Sequence, residues 1–182
     1  AGPWFTRAAT TVAVASHAEL VAKILEARSH GGDGLITFES DGTVILTNQI
    51  RLAHSSTSTN LTTNVIRLSA IGRGITIAGP TGTNFLNGGL FLLDRGVELY
   101  VTNIAFINGR GTNGSAFYVS SNSALYAVDC VFSNNVATGS NGVAGVAART
   151  GTVSGSAKDG GSGKAGMNAA GGAIYNLGRV WL

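Results

Sequence analysis

Short runs of alternating apolar and polar residues, separated by turn-forming residues, cover most of the chain after Gly34. Such alternation predicts half-buried β-strands, because successive side chains of a strand point to opposite faces. The separating segments are rich in Gly, Asn, Asp and Ser, which tight turns favour. Strands are predicted at 35–38, 43–47, 49–53, 64–70 and 75–78.

Residues 16–29 follow a helical period instead, and they predict one α-helix. Ser16 and Glu19 have the spacing of a capping box, in which each side chain bonds the backbone N–H of the other residue. The glycines after His30 indicate where the helix ends. The predicted apolar stripe consists of Leu20, Val21, Ile24 and Leu25.

A 26-residue internal repeat is the observation on which the fold prediction depends. Residues 96–108 align with residues 122–134, and a third copy begins at Gly171 and runs to Leu182. One copy of a few short strands cannot bury its own apolar side, whereas stacked copies form a continuous core. The matched pairs are Leu99 and Leu125, Tyr100 and Tyr126, Asn103 and Asp129, Phe106 and Phe132, and Asn108 and Asn134.

This period favours a parallel β-helix with one coil per repeat. A leucine-rich repeat has a similar period, but its Leu and Asn consensus is absent. The predicted organisation is an N-terminal segment with a capping helix at 1–34, followed by β-helix coils at 35–182. An insertion at 138–170 is rich in Gly, Ala and Ser and is predicted to be flexible. Because the chain stops in mid-repeat, we expect a fragment with further coils beyond Leu182.

Two short motifs resemble those of a known group. Phe132-Ser-Asn-Asn135 and Gly171-Gly-Ala-Ile174 resemble the paired motifs of polymorphic outer-membrane-type and related bacterial surface proteins, within the pectin-lyase-like superfamily. The first repeat departs from them, since Gly109 stands at the Asn position. The resemblance covers residues 10–182 and implies an all-β fold, a right-handed parallel β-helix (solenoid) with an N-terminal amphipathic capping helix. Superfamily members include adhesins, sugar-binding modules, and polysaccharide lyases and hydrolases, so the motifs indicate fold better than function.

Composition narrows the classes of partner. Hydrophobic residues make up 44% of the chain and charged residues 12%, and the net charge is +3. The basic residues are scattered, so no nucleic-acid partner is predicted. No apolar run reaches about 18 residues, so no transmembrane segment is predicted. Cys130 is the only cysteine, which excludes an internal disulfide, and its apolar neighbours predict a buried thiol.

Candidate catalytic groups are few. Asp94 and Glu98 flank Arg95 and could share a face, but Ala124 stands in register with Glu98 one repeat later. The paired carboxylates of hydrolases and the acidic Ca²⁺ ligands of lyases are therefore not predicted here. We predict no catalytic residue, no metal site and no cofactor within these residues. Metal-ligand spacing is lacking among the three histidines, His17, His30 and His54.

Outward-facing aromatic residues form the predicted ligand site. Strand alternation places Tyr100, Tyr126 and Trp181 on the outer face, with Val180 and Leu182 pointing inward. Equivalent positions lie about 4.8 Å apart in stacked coils, so the rings predict an exposed column that suits the apolar face of a sugar. The alternatives are an ordinary ladder of stacked aromatic side chains, or a surface covered by the insertion. The predicted ligand-binding residues are Tyr100, Tyr126, Trp181, Glu98 and Arg179.

Other repeated side chains predict structural roles. Phe106 and Phe132 are expected to stack in the core, and Asn108 and Asn134 are expected to bond the backbone at turns along a ladder. Glycosylation acceptor patterns, which matter only in a eukaryotic source, begin at Asn60 and Asn113.

The resulting prediction is a non-catalytic extracellular module for adhesion or polysaccharide binding, with a polysaccharide or cell-surface glycan as partner. One alternative is the N-terminal part of a polysaccharide lyase or glycoside hydrolase. Another is the structural stalk of a surface protein. The first residues, Ala1-Gly2-Pro3-Trp4, lack Met and a signal-peptide layout, so we expect a mature or trimmed N-terminus from which any signal peptide has been removed. The resemblance to bacterial surface proteins implies an extracellular or cell-surface location.

Overall fold

The computed structural model describes residues 9–12, 16–29, 34–53, 64–80, 89–139, 141–145, 162–166 and 168–182. Within them, the single helix α1 spans His17–Ser29. The strands of the first part are β1 (Ala9–Val12), β2 (Gly34–Phe38), β3 (Gly42–Ile45), β4 (Ile50–Leu52), β5 (Asn64–Ser69) and β6 (Ile75–Ala78). Those of the second part are β7 (Phe91–Leu93), β8 (Val97–Thr102), β9 (Ile104–Ile107), β10 (Arg110–Gly111), β11 (Phe117–Val119), β12 (Ala124–Val128), β13 (Val131–Ser133), β14 (Val136–Ala137), β15 (Ile174–Asn176) and β16 (Arg179–Trp181).

These strands form parallel sheets. Sheet A has the order β1-β2-β5-β8-β12-β16, sheet B the order β3-β6-β9-β13, and sheet C the order β4-β7-β11-β15. Strands β10 and β14 form a separate parallel pair. The strands predicted between residues 35 and 78 are confirmed, whereas β1 lies in the N-terminal segment for which the sequence predicts only a helix. The described chain is therefore strand-rich, with parallel sheets and one helix.

The register of the sheets follows the internal repeat. In sheet A, Leu125 lies opposite Leu99, and in sheet B, Phe132 lies opposite Phe106. In sheet C, Phe117 of β11 lies opposite Phe91 of β7, which is again one repeat earlier in the chain. The repeat alignment is therefore confirmed in three sheets at once.

The third copy pairs with the second after a longer step. Ile174 of β15 lies opposite Phe117 of β11, so this step is more than twice the length of the repeat. The excursion begins after Ala137, which pairs with Gly111, and it ends at Ala170, which bridges Asn113. The excursion therefore leaves and returns on the two sides of a single register position, Thr112.

Part of the insertion is paired with itself. Val143 and Lys164 form an antiparallel bridge in which two backbone hydrogen bonds of 2.9 Å run in opposite directions. Residues 141–145 and 162–166 on either side are exposed. The other residues between 146 and 161 lie outside the described ranges, so the flexibility expected of the insertion stays a prediction.

Helix α1 begins where the capping box predicts. The Glu19 N–H donates to Ser16 Oγ at 3.2 Å. The helix packs against β1, β2 and β5. Leu25, expected in the apolar stripe, is 58% exposed, so that part of the prediction is wrong. Ala27 is buried instead, because the helix approaches Gly34 so closely that a Cβ there would lie 2.7 Å from the Ala27 Cβ.

Inward side chains of the three sheets form one apolar cluster. Burial alternates strictly along β8, as expected for a strand with one face in the core. Phe106 is fully buried and its ring lies nearly parallel to that of Phe132, with 5.6 Å between centroids. Phe117 meets Phe106 edge-on at 4.8 Å. Core stacking of Phe106 and Phe132 is therefore confirmed.

Left-handed Asn and Asp residues make the turns around this core. Asn103 and Asp129, between strands of sheets A and B, have φ of 57° and 53°, and Asn108 and Asn134 have φ of 57° and 52°. These side chains tolerate the left-handed region better than most. Asn134 Nδ2 donates to Asn108 Oδ1 at 2.6 Å. The ladder exists, but this bond joins two side chains instead of reaching the backbone.

The bonds from side chain to backbone come from the next residue, Asn135. Its Nδ2 donates to the Phe106 carbonyl at 2.8 Å, and its Oδ1 accepts from the Gly109 N–H at 2.8 Å. A Cβ at Gly109 would overlap the carbonyl oxygen of Ser115. Close packing of the backbone therefore accounts for glycine at the position where the motif has asparagine.

Substitutions at Asn103 separate its two contributions to the turn. Its Nδ2 donates to the carbonyl oxygens of Ala70 at 2.8 Å and Arg73 at 3.1 Å. We expect Asn103→Gly to lower the free energy of unfolding by about 1 kcal/mol, because these two hydrogen bonds, one of them part-buried, are lost. Asn103→Ala should cost about 2–3 kcal/mol, because the left-handed backbone is also strained. Urea denaturation measures both, and equal stability of the two variants would contradict this account of the turn.

Candidate functional site

Three aromatic residues lie in register on the outer face of sheet A. Tyr126 is paired with Tyr100 on one side and with Trp181 on the other. The ring centroids are 4.2 and 4.3 Å apart, and both ring pairs lie within 6° of parallel. Arg67 extends the column, with its guanidinium carbon 3.9 Å from the centroid of Tyr100. The predicted aromatic column is confirmed as a geometric feature, and Arg67 is an addition to it.

The stacking decides which parts of the rings a ligand can reach. Both faces of Tyr126 are covered by rings, and the faces of Tyr100 are covered by Arg67 and Tyr126. Trp181 is 46% exposed; Tyr126 stacks on it, and the Arg179 guanidinium carbon lies over its ring at 5.7 Å from the centroid. Since a sugar stacks on an open ring face, the two tyrosines offer mainly edges and hydroxyls. This geometry favours the alternative of a structural ladder, and ligand binding by the column stays a prediction.

An ion pair runs beside the column. Arg179 Nη2 lies 3.4 Å from Glu98 Oε1, although Ala124 stands between them in register. Ala124 is fully buried, because the two long side chains meet over its methyl group. The Tyr100 hydroxyl donates to Glu98 Oε2 at 3.4 Å. Burial raises the pKa of Tyr100, and the Tyr126 hydroxyl and the Glu98 carboxylate add to this effect.

Val180 and Leu182, which flank Trp181 and were predicted to point inward, differ in their burial. Val180 lies opposite Leu125 and packs against the core, as predicted. Leu182 is 81% exposed, so the prediction for it is wrong. It follows the last paired residue of β16, and no strand partner fixes the direction of its side chain.

A different outward surface, on sheet C, borders an open cleft of about 420 Å³. The cleft combines one aromatic ring and one carboxylate with amides and hydroxyls. Such a mixture provides hydrogen bonds for a hydroxyl-rich ligand and an apolar contact for its carbon skeleton. The lining residues are Gln49, Leu92, Asp94, Thr112, Asn113, Tyr118 and Ser120.

Two contacts hold the main side chains of the cleft. Arg51 Nε donates to Asp94 Oδ2 at 2.6 Å, and the two side chains are 66% and 24% exposed. Tyr118 lies opposite Tyr175, with 5.1 Å between ring centroids and an angle of 40° between the rings. Tyr118 lines the cleft and its ring is inclined to that of Tyr175, whereas the rings of sheet A are nearly parallel.

Both ends of the insertion are hydrogen-bonded to residues at the rim of this cleft. Thr112 and Asn113 line the cleft, and the Thr112 carbonyl accepts from the Ala170 N–H at 3.2 Å. The Thr138 N–H donates to the Gly111 carbonyl at 2.8 Å. Both ends of the excursion are therefore attached to the segment that forms the rim. In repeat proteins, insertions of this kind often mark the binding face.

Sequence reasoning missed this cleft for identifiable reasons. Tyr118 and Tyr175 occupy matched positions of the second and third repeats, so the signal for this pair was present. The partner of Asp94 is Arg51, which lies far upstream in a part of the chain where the repeat is not readable. Asp94 and Glu98, expected to share a face, instead bind the different cations Arg51 and Arg179.

The remaining candidate groups that the structure describes do not lie together in one site. Cys130 is half-buried, its thiol donates to the Val128 carbonyl at 3.4 Å, and burial raises its pKa. Burial lowers the pKa of His17. His30, His54 and Asn60 lie outside the described residues. Across the described ranges, no group of three His, Cys, Asp or Glu could hold a metal ion, and α1 is too short and too polar to cross a membrane.

Comparisons with protein-family models, curated protein sequences and solved structures gave no match to this chain. The residues themselves are therefore the basis for any functional assignment.

Substitution of Tyr126 tests whether the column is a structural ladder. Tyr126→Ala removes two ring contacts and should lower the free energy of unfolding by about 1–3 kcal/mol. Tyr126→Phe keeps both contacts and serves as the control, with an expected change below about 0.5 kcal/mol. Urea denaturation measures both variants. A stable Tyr126→Ala variant that loses polysaccharide binding would instead support the ligand-binding role.

Proposed function

We propose that this chain is a non-catalytic module of a right-handed parallel β-helix that binds a polysaccharide in the cleft of sheet C. The observation that carries the proposal is that two features occur at the same place. The cleft has the mixed aromatic and polar lining that a glycan needs, and the insertion between Ala137 and Ala170 is attached to the segment that forms its rim.

Three observations support the β-helix. Strands of sheets A, B and C alternate along the chain, and equivalent strands pair in parallel one repeat later. Their inward side chains belong to one cluster. Helix α1 contributes Leu20, Ile24 and Ala27 to the same cluster, as a cap over the first coils would. The right hand and the relationship to pectin-lyase-like surface proteins come from the motif resemblance, as does the proposed extracellular or cell-surface location.

The charges in the cleft favour binding over hydrolysis. Glycoside hydrolases require two carboxyl groups about 5–10 Å apart, one on each side of the scissile bond. Asp94 is the only acidic residue among the described lining residues, and it is paired with Arg51. An enzymatic role, the alternative, predicts release of reducing or unsaturated sugar ends when the protein is incubated with polysaccharide.

A purely structural stalk is the second candidate, and the ring column supports it. Parallel rings at 4.2 and 4.3 Å add contacts between neighbouring strands without offering an open face. This role is compatible with binding on another sheet, because the column and the cleft lie on sheets A and C respectively.

Variants of the cleft test the proposal directly. Tyr118→Ala should weaken binding to the best ligand of a polysaccharide panel about tenfold, the effect of losing roughly 1.4 kcal/mol of contact. Gln49→Ala should weaken it as well, whereas Asn48→Ala, at the exposed neighbouring position, should not. Isothermal titration calorimetry gives the affinities, and circular dichroism checks the fold. Equal affinities of wild type and Tyr118→Ala would refute the site.

A further inference from the structure

The arginine–carboxylate pair at the cleft bears on which polysaccharide is bound. Asp94 lines the cleft, whereas Arg51 lies beside it, in register with the lining residue Leu92 on the same outward side of sheet C. The bond from Arg51 Nε to Asp94 Oδ2 uses one of several positions on each group, since a carboxylate accepts several hydrogen bonds and a guanidinium has five N–H donors.

We infer that this pair selects a neutral polysaccharide with adjacent hydroxyl groups and rejects polyuronates. The inference rests on the proposed binding function of the cleft. One hydroxyl of a vicinal diol can donate to the Asp94 carboxylate while its neighbour accepts from the Arg51 guanidinium. A uronate carboxylate in the position of the donating hydroxyl would face the Asp94 carboxylate, because Asp94 is the member of the pair that lines the cleft. Like charges at short range disfavour such binding.

Paired titrations with xylan or mannan and with polygalacturonate test the selection. Wild type should bind a neutral polymer at least tenfold more tightly than polygalacturonate. Asp94→Asn should weaken binding of the neutral polymer and reduce this preference, because the carboxylate that accepts the hydroxyl and repels uronate is gone. Arg51→Lys keeps the charge but not the planar set of donors and should also weaken binding. Arg95→Lys, which keeps the charge at the exposed next position after Asp94, is the control and should leave both affinities unchanged.

The outcomes separate the two claims. If wild type binds none of the polymers, the proposed function fails and the selection fails with it. If wild type binds polygalacturonate as tightly as the neutral polymers, or if Asp94→Asn leaves the preference intact, the selection fails while the binding module stands. Unchanged circular dichroism and urea midpoints of the variants exclude misfolding as the cause of weakened binding.

A second, independent observation concerns the three Asn-Gly pairs in the described residues, at Asn108, Asn113 and Asn141. In such pairs the glycine nitrogen can attack the asparagine side-chain carbon and expel ammonia. The resulting cyclic imide then adds water and opens to aspartate or isoaspartate. The attack requires a glycine N–H that is not held in a hydrogen bond elsewhere.

Two of these glycine nitrogens are held in hydrogen bonds. The Gly109 N–H donates to Asn135 Oδ1 at 2.8 Å, and the Gly114 N–H donates to the Ala170 carbonyl at 3.2 Å. Because Val143 exchanges both of its backbone bonds with Lys164, the N–H of the preceding Gly142 points away from that partner. The geometry points to Asn141 as a site of spontaneous deamidation, with Asn108 and Asn113 protected.

Peptide mapping by mass spectrometry after incubation at mildly alkaline pH tests this assignment. In the folded protein, the amide-to-acid mass change should accumulate at Asn141 several-fold faster than at Asn108 or Asn113. In urea the three rates should converge, because the protecting hydrogen bonds are lost. Equally fast change at Asn113 in the folded protein, or persistence of the difference in urea, would overturn the assignment. Gly142→Ala should slow the change at Asn141 alone.

Discussion

Parallel backbone pairing between residues one repeat apart is the interaction on which the other features of this protein depend. It places Leu125 against Leu99 and Phe132 against Phe106, so apolar side chains meet their equivalents and form a continuous core. The same pairing stacks side chains on the outer faces, where polar and aromatic residues acquire neighbours they do not have in the sequence. Both the core and the candidate sites are consequences of one register.

The outer faces show how ring geometry separates two roles for aromatic residues. On sheet A, rings of identical orientation cover each other and become part of the framework. On sheet C, the Tyr118 ring lies at 40° to that of Tyr175 and borders polar groups of the cleft. Residue type and register alone do not distinguish these cases, because both are pairs of tyrosines at matched positions of neighbouring strands.

The sequence was informative wherever a local or periodic rule applies. Spacing in the sequence was enough to predict three features: the Ser16 cap, the stacked phenylalanines, and the shared register of Tyr100, Tyr126 and Trp181. It was silent on contacts between segments without readable repeats, such as Arg51 with Asp94. The predictions that Leu25 and Leu182 are buried were wrong. Which face of the helix packs on the sheets, and where the pairing of β16 ends, depend on tertiary packing that periodicity does not contain.

The insertion between Ala137 and Ala170 shows that a long segment can be accommodated without changing how the strands on either side of it pair. Its ends are anchored to consecutive stretches of one neighbouring segment, so its length does not enter the pairing on either side. Doubling a flexible loop costs only about 0.6 kcal/mol in closure entropy. A change in the length of this stretch would therefore leave the flanking strand pairs in place, and a protein engineer has here a natural position at which to graft a foreign peptide.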